Sequence, residues 1–156
     1  MNTSDLRIAL FSGNYNYVRD GANQALNRLV GYLLRQGANV RVYSPTIAEP
    51  AFPATGDLVS VPSAAMPFGR GEYRFPLALS PRVRSDLAAF APNVVHVSSP
   101  DVVAHRAVTW ARHRRLPVLA SVHTRFETYF RYYNMAFMEP VIEAMLRRFY
   151  RRCDAL

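Results

Sequence analysis

The sequence contains no lysine, a single cysteine, a single tryptophan and seven glycines in 156 residues. Each scarcity closes a class of reading. One thiol, Cys153, cannot form an internal disulfide, and without a Cys-x-x-Cys pair there is no thiolate zinc site. No activating motif surrounds it, so it reads as inert. No apolar run reaches the roughly 18 residues that span a bilayer. The start, Met1-Asn2-Thr3-Ser4-Asp5, lacks the basic-then-apolar layout of a signal peptide. A cytoplasmic address is the expectation, with peripheral contact on the inner face of the membrane left open. The dinucleotide fingerprint G-x-G-x-x-G is absent: Gly13 and Gly21 stand eight residues apart with Tyr15 and Tyr17 between them. There is also no Walker A sequence and no G-x-S-x-G elbow, which argues against a nicotinamide dehydrogenase, a P-loop ATPase and a serine hydrolase. The missing lysine fits a GC-rich genome better than any function. Arginine therefore carries all of the net charge of +8. That surplus favours phosphate esters, acidic lipid or nucleic acid as partners, without choosing among them.

What is present is an ordinary globular composition, 50% hydrophobic and 19% charged, in a chain long enough for one domain with its own core. Strand and helix patterns alternate. Leu6–Phe11 is a short apolar run, typical of a strand buried on both faces. The polar loop Ser12–Tyr17 follows, and Asp20-Gly21 opens a helix along which Ala22, Leu26, Leu29, Val30, Leu33 and Leu34 recur at helical spacing until Gly37 stops it. Val40–Tyr43 is a second strand. Prolines at 45, 50, 53, 62 and 67 break up the next stretch, leaving short strand candidates at Leu58–Val61 and Glu72–Phe75. Ser80-Pro81 starts a helix to about Ala91. Asn93–Val97 is a strand, Ser99 caps a helix that continues through Pro100 and the acid Asp101 to about Arg114, and Leu116–Val122 is the next strand. A last helix spans about Glu139–Cys153, with Val141, Ile142, Met145, Leu146 and Phe149 on its apolar side. The expectation is a Rossmann-like, doubly wound α/β domain with a mostly parallel sheet.

In such sheets ligands bind beyond the carboxyl ends of the strands. The loops there are Gly13–Gly21, Ser98–Asp101 and His123–Tyr133. Asp20-Gly21, at a helix start, offers backbone amides to a phosphate, or is a plain structural cap. His123 follows a strand directly; it could donate to a sugar hydroxyl, move a proton, or bond a backbone carbonyl. His96, inside Val-Val-His-Val, reads as a packed residue, and His105 and His113 are too far apart on one helix to be a metal pair. The stretch Arg125–Tyr133 mixes arginine with aromatic rings, a composition suited to nucleobases, sugar faces, a membrane interface or simple core packing. Arg147, Arg148, Arg151 and Arg152 form a solvated face or a contact for acidic lipid.

Four stretches together resemble a known family. They are Arg7-Ile8-Ala9-Leu10-Phe11 followed by a helix-start glycine and Gly37-Ala38-Asn39-Val40-Arg41-Val42-Tyr43-Ser44-Pro45; Tyr73-Arg74 followed by Leu77–Arg82; Pro92–Pro100, similar to D-I-I-H-x-x-S-P; and Val122-His123-Thr124-Arg125-Phe126 followed by tyrosines, similar to H-T-x-F/V-x-x-Y. In order and spacing they resemble the amino-terminal domain of retaining family-4 GT-B glycosyltransferases, in the branch of sulfoquinovosyl-diacylglycerol synthases and lipid α-mannosyltransferases. The likeness covers almost all of the chain.

The resemblance implies two Rossmann-like domains with a UDP- or GDP-linked sugar between them. Residues 1–156 would be the acceptor-side domain, and the nucleotide-sugar domain would be absent from this chain, leaving it inactive alone. Gly21 would lie near the donor diphosphate and His123 at the transferred sugar or acceptor hydroxyl. Tyr73, Arg74, Tyr129 and Tyr133 would face a lipid or glycan acceptor. No metal or cofactor is implied, because positive side chains and helix ends take the metal's place. The loop before Gly21 carries one glycine at the helix start where many relatives have two, so close phosphate approach rests on Gly21. The competing expectation is a non-catalytic basic α/β module that binds anionic lipid surfaces or nucleic acid.

Overall fold

The computed structural model describes residues 1–66, 72–123 and 136–156. In chain order the elements are β1 (Arg7–Phe11), α1 (Gly21–Arg35), β2 (Asn39–Ser44), β3 (Asp57–Ser60), β4 (Ser63–Ala65), β5 (Arg74–Pro76), α2 (Pro81–Phe90), β6 (Val94–Val97), α3 (Val102–His113), β7 (Val118–Ala120) and α4 (Glu139–Tyr150). Five strands form one sheet in the order β3-β2-β1-β6-β7, and every neighbouring pair is parallel. The strands β4 and β5 make a separate antiparallel hairpin. The expected α/β architecture is thus the one observed.

Alternation along β1 assigns the two layers. Ala9 and Phe11 point into a core shared with Val83 and Leu87 of α2, Val103, Ala107 and Val108 of α3, and Phe149 of α4. Ile8 and Leu10 point the other way, into a core with Leu26 and Val30 of α1. A strand with a helix layer on each face must be apolar at every position, which is why this segment shows no polar alternation.

Helix ends follow local chemistry. Gly37, at φ +88°, lets Ala38 N–H reach Leu33 O (3.0 Å) and Gly37 N–H reach Leu34 O (3.0 Å), so the last carbonyls of α1 are satisfied in a Schellman motif. The same closure ends α3, but Arg115 holds the left-handed position at φ 56°. Ser80 caps α2, accepting from Val83 N, with Pro81 at the first turn. Beyond α4 the chain returns beside β7: Ala120 N–H donates to Ala155 O at 2.9 Å, and Leu119 and Ala155 form a parallel bridge.

Three expectations require correction. Asp101, not Ser99, caps α3, its carboxylate accepting from Ala104 N. On α1, Leu29 and Leu34 are each 38% exposed, whereas Asn23 and Asn27 are buried. On α4 only Phe149 is buried, and Val141 and Met145 are each 56% exposed. In both helices the apolar stripe is wider than the surface that covers it, and periodicity cannot report the width of the neighbouring layer.

Candidate functional site at the carboxyl edge

The sheet order places the switch point at β1, whose neighbours are β2 on one side and β6 on the other. Chains leaving β1 and β6 diverge there, the place where sheets of this kind form a ligand crevice. Its walls are the Ser12–Asp20 loop and the Ser98–Asp101 loop. The sheet ladder continues into both: Ser12 N–H donates to Tyr43 O (3.0 Å) and Ser98 N–H to Phe11 O (2.9 Å). Across the crevice, Gly13 N–H donates to Ser99 Oγ at 2.9 Å. The Ser99 hydroxyl in turn donates to Asp101 Oδ2 at 2.7 Å. Burial pushes the Asp101 carboxyl above its usual range, against the pull of its hydrogen bonds from Ser99 and the helix amides. Gly13 has a steric reason to be glycine, since a Cβ there would meet Asp101 Oδ2 and Ser99 Oγ at 3.2 Å each.

The loop read from composition as a polar turn is packed. Tyr15 is fully buried and Tyr17 is 4% exposed. Tyr15 OH donates to Thr55 O (2.7 Å), and Asn27 Nδ2 of α1 donates to Tyr15 O (2.8 Å). Asn16 Nδ2 donates to Phe52 O (2.9 Å). Asn14 Nδ2 bonds Val18 O and Asp20 Oδ2, each at 3.0 Å, and Asn23 also donates to Val18 O. Asp20 completes the arrangement as cap of α1: its Oδ1 accepts from Asn23 N (2.8 Å), while Asn23 Oδ1 accepts from Asp20 N (3.1 Å). The four asparagines at 14, 16, 23 and 27 were the readable signal for this rigidity, since asparagine both donates and accepts. Their partners lie up to 36 residues away, beyond the reach of local pattern.

Gly21 is exposed at the first position of α1. Nothing lies within 4 Å of where its Cβ would be, and its φ is not in the positive region. Neither backbone strain nor internal packing therefore calls for glycine. The open space over a helix amino terminus is what close approach by an anion needs.

His123 is exposed two residues beyond Ser121, which is fixed by its own amide to Val97 O (2.9 Å) and by its hydroxyl to His96 Nε2 (2.5 Å). His96 is 8% exposed and held down to a pKa of about 4, first by burial and then by the charge of nearby His123. At neutral pH it is an uncharged polar link between β6 and β7. Residues 96, 121 and 123 thus share one end of the sheet.

Arg74 opens β5, and Tyr73 precedes it. The Arg74 guanidinium is turned onto its own hairpin, Nε donating to Ser63 Oγ (2.7 Å) and Nη2 to Ser63 O (3.2 Å). Its backbone N–H donates to Tyr17 OH (3.1 Å). The hairpin is therefore joined to the loop after β1. Tyr129 and Tyr133 lie outside the described residues, as does the rest of the arginine–tyrosine stretch. Among the described residues, no three His, Cys, Asp or Glu side chains come together as a metal-ligand group, and no helix is long and apolar enough to cross a membrane.

The geometry defines a parallel, doubly wound α/β domain with a helix amino terminus and a strand-end histidine at the carboxyl edge of its sheet. The model of Glycosyltransferase Family 4 matches residues 19–156, and the chain belongs to that family. It is similar to "Sulfoquinovosyl transferase SQD2" of Arabidopsis thaliana, with 29% identity over 150 residues, covering 95% of this chain and 29% of that protein. It is also similar to "GDP-mannose-dependent alpha-mannosyltransferase" of Mycolicibacterium smegmatis, with 26% identity over 155 residues, covering 96% of this chain and 40% of that protein. The chain thus spans less than half the length of either relative.

Proposed function

We propose that this domain is the acceptor-binding half of a retaining glycosyltransferase that moves a sugar from a UDP- or GDP-linked donor to a lipid or glycan acceptor. The observation that carries the proposal is Gly21: a glycine unexplained by the chain's own packing, exposed at the amino end of α1 beside the switch-point crevice. Family membership and the share of the relatives' length that the chain covers support the division into halves.

In this reading the anomeric C–O bond to the diphosphate breaks as the acceptor oxygen bonds the same face of the sugar. The acceptor proton passes to the departing diphosphate, so no protein nucleophile is required. Amides at the start of α1 stabilise the diphosphate as its charge grows. His123 touches the transferred sugar or acceptor hydroxyl, and Tyr73, Arg74, Tyr129 and Tyr133 serve the acceptor side. No metal or organic cofactor takes part.

The test has two arms. The isolated 156-residue chain should not turn over UDP-glucose or GDP-mannose, and turnover by it would sink the half-enzyme reading. In a full-length enzyme carrying the domain, His123→Ala should lower turnover by about 100-fold, and near-normal activity removes His123 from its role.

A second feature supports peripheral contact with anionic membrane. On α4, Arg147 and Arg148 are exposed, as is Arg151 just past its end, and so are Val141 and Met145 of the same helix, each 56% exposed. Cations with an apolar flank suit an acidic lipid interface. Co-sedimentation with phosphatidylglycerol vesicles but not phosphatidylcholine vesicles is expected, and equal behaviour with both overturns it. Salt-dependent oligonucleotide binding with strand preference would instead favour the non-catalytic module.

A further inference from the structure

The hydroxyl of Tyr17 sits between two parts of the site. It lies 2.8 Å from Gly13 O, 3.1 Å from Arg74 N and 3.4 Å from Arg74 O. A phenol has one proton to donate and lone pairs to accept. Here it donates to Gly13 O, the shortest contact, and accepts the Arg74 N–H. Arg74 is the last residue of the β4–β5 register, paired with Ala65, and its amide is turned away from that strand toward Tyr17. Burial raises the phenol's pKa, and Tyr73, Arg74 and Asp101 all act electrostatically on it. Those three residues lie on the hairpin and on the β6 loop, so Tyr17 is at their meeting point.

Both sides of this link have further supports. The loop has other supports: Gly13 N–H on Ser99, Tyr15 on Thr55, Asn16 on Phe52, and Asp20 on Asn23. In the hairpin, the Arg74 side chain is spent on Ser63 of the same hairpin. Its backbone reaches the loop after β1 through Tyr17, while the segment entering β4 is held to β2 by Val61 N–H on Ser44 O (3.1 Å) and Pro76 of β5 is buried.

We propose that Tyr17 is a positioning residue that sets the β4–β5 hairpin, with Tyr73 and Arg74, against the loop after β1, and thereby governs acceptor placement without acting on the donor. This rests on the reading above that Tyr73 and Arg74 face the acceptor. It adds that one buried hydroxyl joins the acceptor hairpin to the loop after β1.

Tyr17→Phe removes that hydroxyl and keeps the ring that fills the loop. By amide exchange on this chain, the Arg74 N–H should exchange at least about fivefold faster in Tyr17→Phe, roughly what one hydrogen bond is worth, with Gly13 N–H unchanged on Ser99. Unchanged Arg74 exchange overturns the proposal. In the full-length protein, with dioctanoylglycerol micelles as acceptor probe and UDP-glucose or GDP-mannose as donor probe, the acceptor KM should rise by a similar factor while kcat and donor KM hold. A rise in donor KM instead, or a fall in kcat alone, overturns it as well. Tyr73→Ala and Arg74→Ala separate the two ideas. If they raise acceptor KM and Tyr17→Phe does not, the positioning role fails alone. If neither they nor Tyr17→Phe changes acceptor KM, or the wild type turns over no probe pair, the acceptor reading fails and the positioning role with it.

Discussion

Ser99 Oγ accepts the amide of Gly13 at 2.9 Å, so the loop leaving β1 is fastened to the loop leaving β6 across the switch point. The bond joins residues 86 apart in sequence, and it holds together the two loops where the chains diverge. Ser99→Ala should cost about 1–2 kcal/mol, the worth of one hydrogen bond with the loss of a donor to a buried carboxylate. Urea denaturation measures it, and a variant as stable as the parent would show that the link carries no load.

Gly13 and Gly21 should respond in opposite ways to alanine. At Gly13 the new Cβ meets two oxygens at 3.2 Å, and overpacking of this kind costs about 1–3 kcal/mol. At Gly21 nothing lies within 4 Å, and alanine in a compatible helical position stabilises by about 0.4–1 kcal/mol. A Gly21→Ala domain that is more stable, within an enzyme that binds its donor less well, is the expected pair of results. Destabilisation at Gly21 would mean that the glycine serves the fold after all.

His96 makes stability depend on pH in a defined direction. Its pKa is about 4 in the fold against 6.5 unfolded, so between those values the unfolded chain binds the additional proton. The contribution is complete above pH 6.5 and is lost as pH falls toward 4, amounting to about 3 kcal/mol at roughly 1.4 kcal/mol per unit. His105, also lowered, acts with the same sign. Asp101, whose pKa is raised, favours the fold at lower pH and opposes them. Comparing wild type with His96→Asn isolates the term: the difference in unfolding free energy should change between pH 4 and pH 6.5 and stay flat above. A difference that is flat throughout would place His96 in a solvated setting.

Leu87 and Met145 test where the core ends. Leu87 is fully buried under α2, and Met145 is 56% exposed on α4. Leu87→Ala should cost about 2–5 kcal/mol through lost contacts and a residual cavity. Met145→Ser should change stability by less than about 0.5 kcal/mol. A large loss at Met145 in thermal unfolding would mean that the α4 stripe has a partner within the chain.

Much of the frame was legible in order along the chain. The caps at Asp20 and Ser80, the stop at Gly37, the helix periodicity and the unbroken apolar strand at β1 are local properties, decided within a few residues by backbone geometry and hydrogen bonding. The family likeness was legible too, because short runs such as Val-Val-His-Val-Ser-Ser-Pro keep both composition and spacing. The role of Tyr17 and of the asparagines was not read, and Ser99 was read as a helix cap rather than as a link to Gly13, since each acts through a partner that only folding brings near. Tyr15 and Tyr17, which stand where a dinucleotide fingerprint would need glycine, are internal supports of the loop after β1.

The sequence by itself determined the alternation of strand and helix, the positions of the turns and the family, because those depend on neighbours in the chain. Tertiary structure alone decided which carboxyl-edge loops meet, which apolar stripes are covered and what holds the hairpin. Those outcomes depend on the sheet order, which sets β1 beside β6 across more than 80 residues and so brings Gly13 to Ser99.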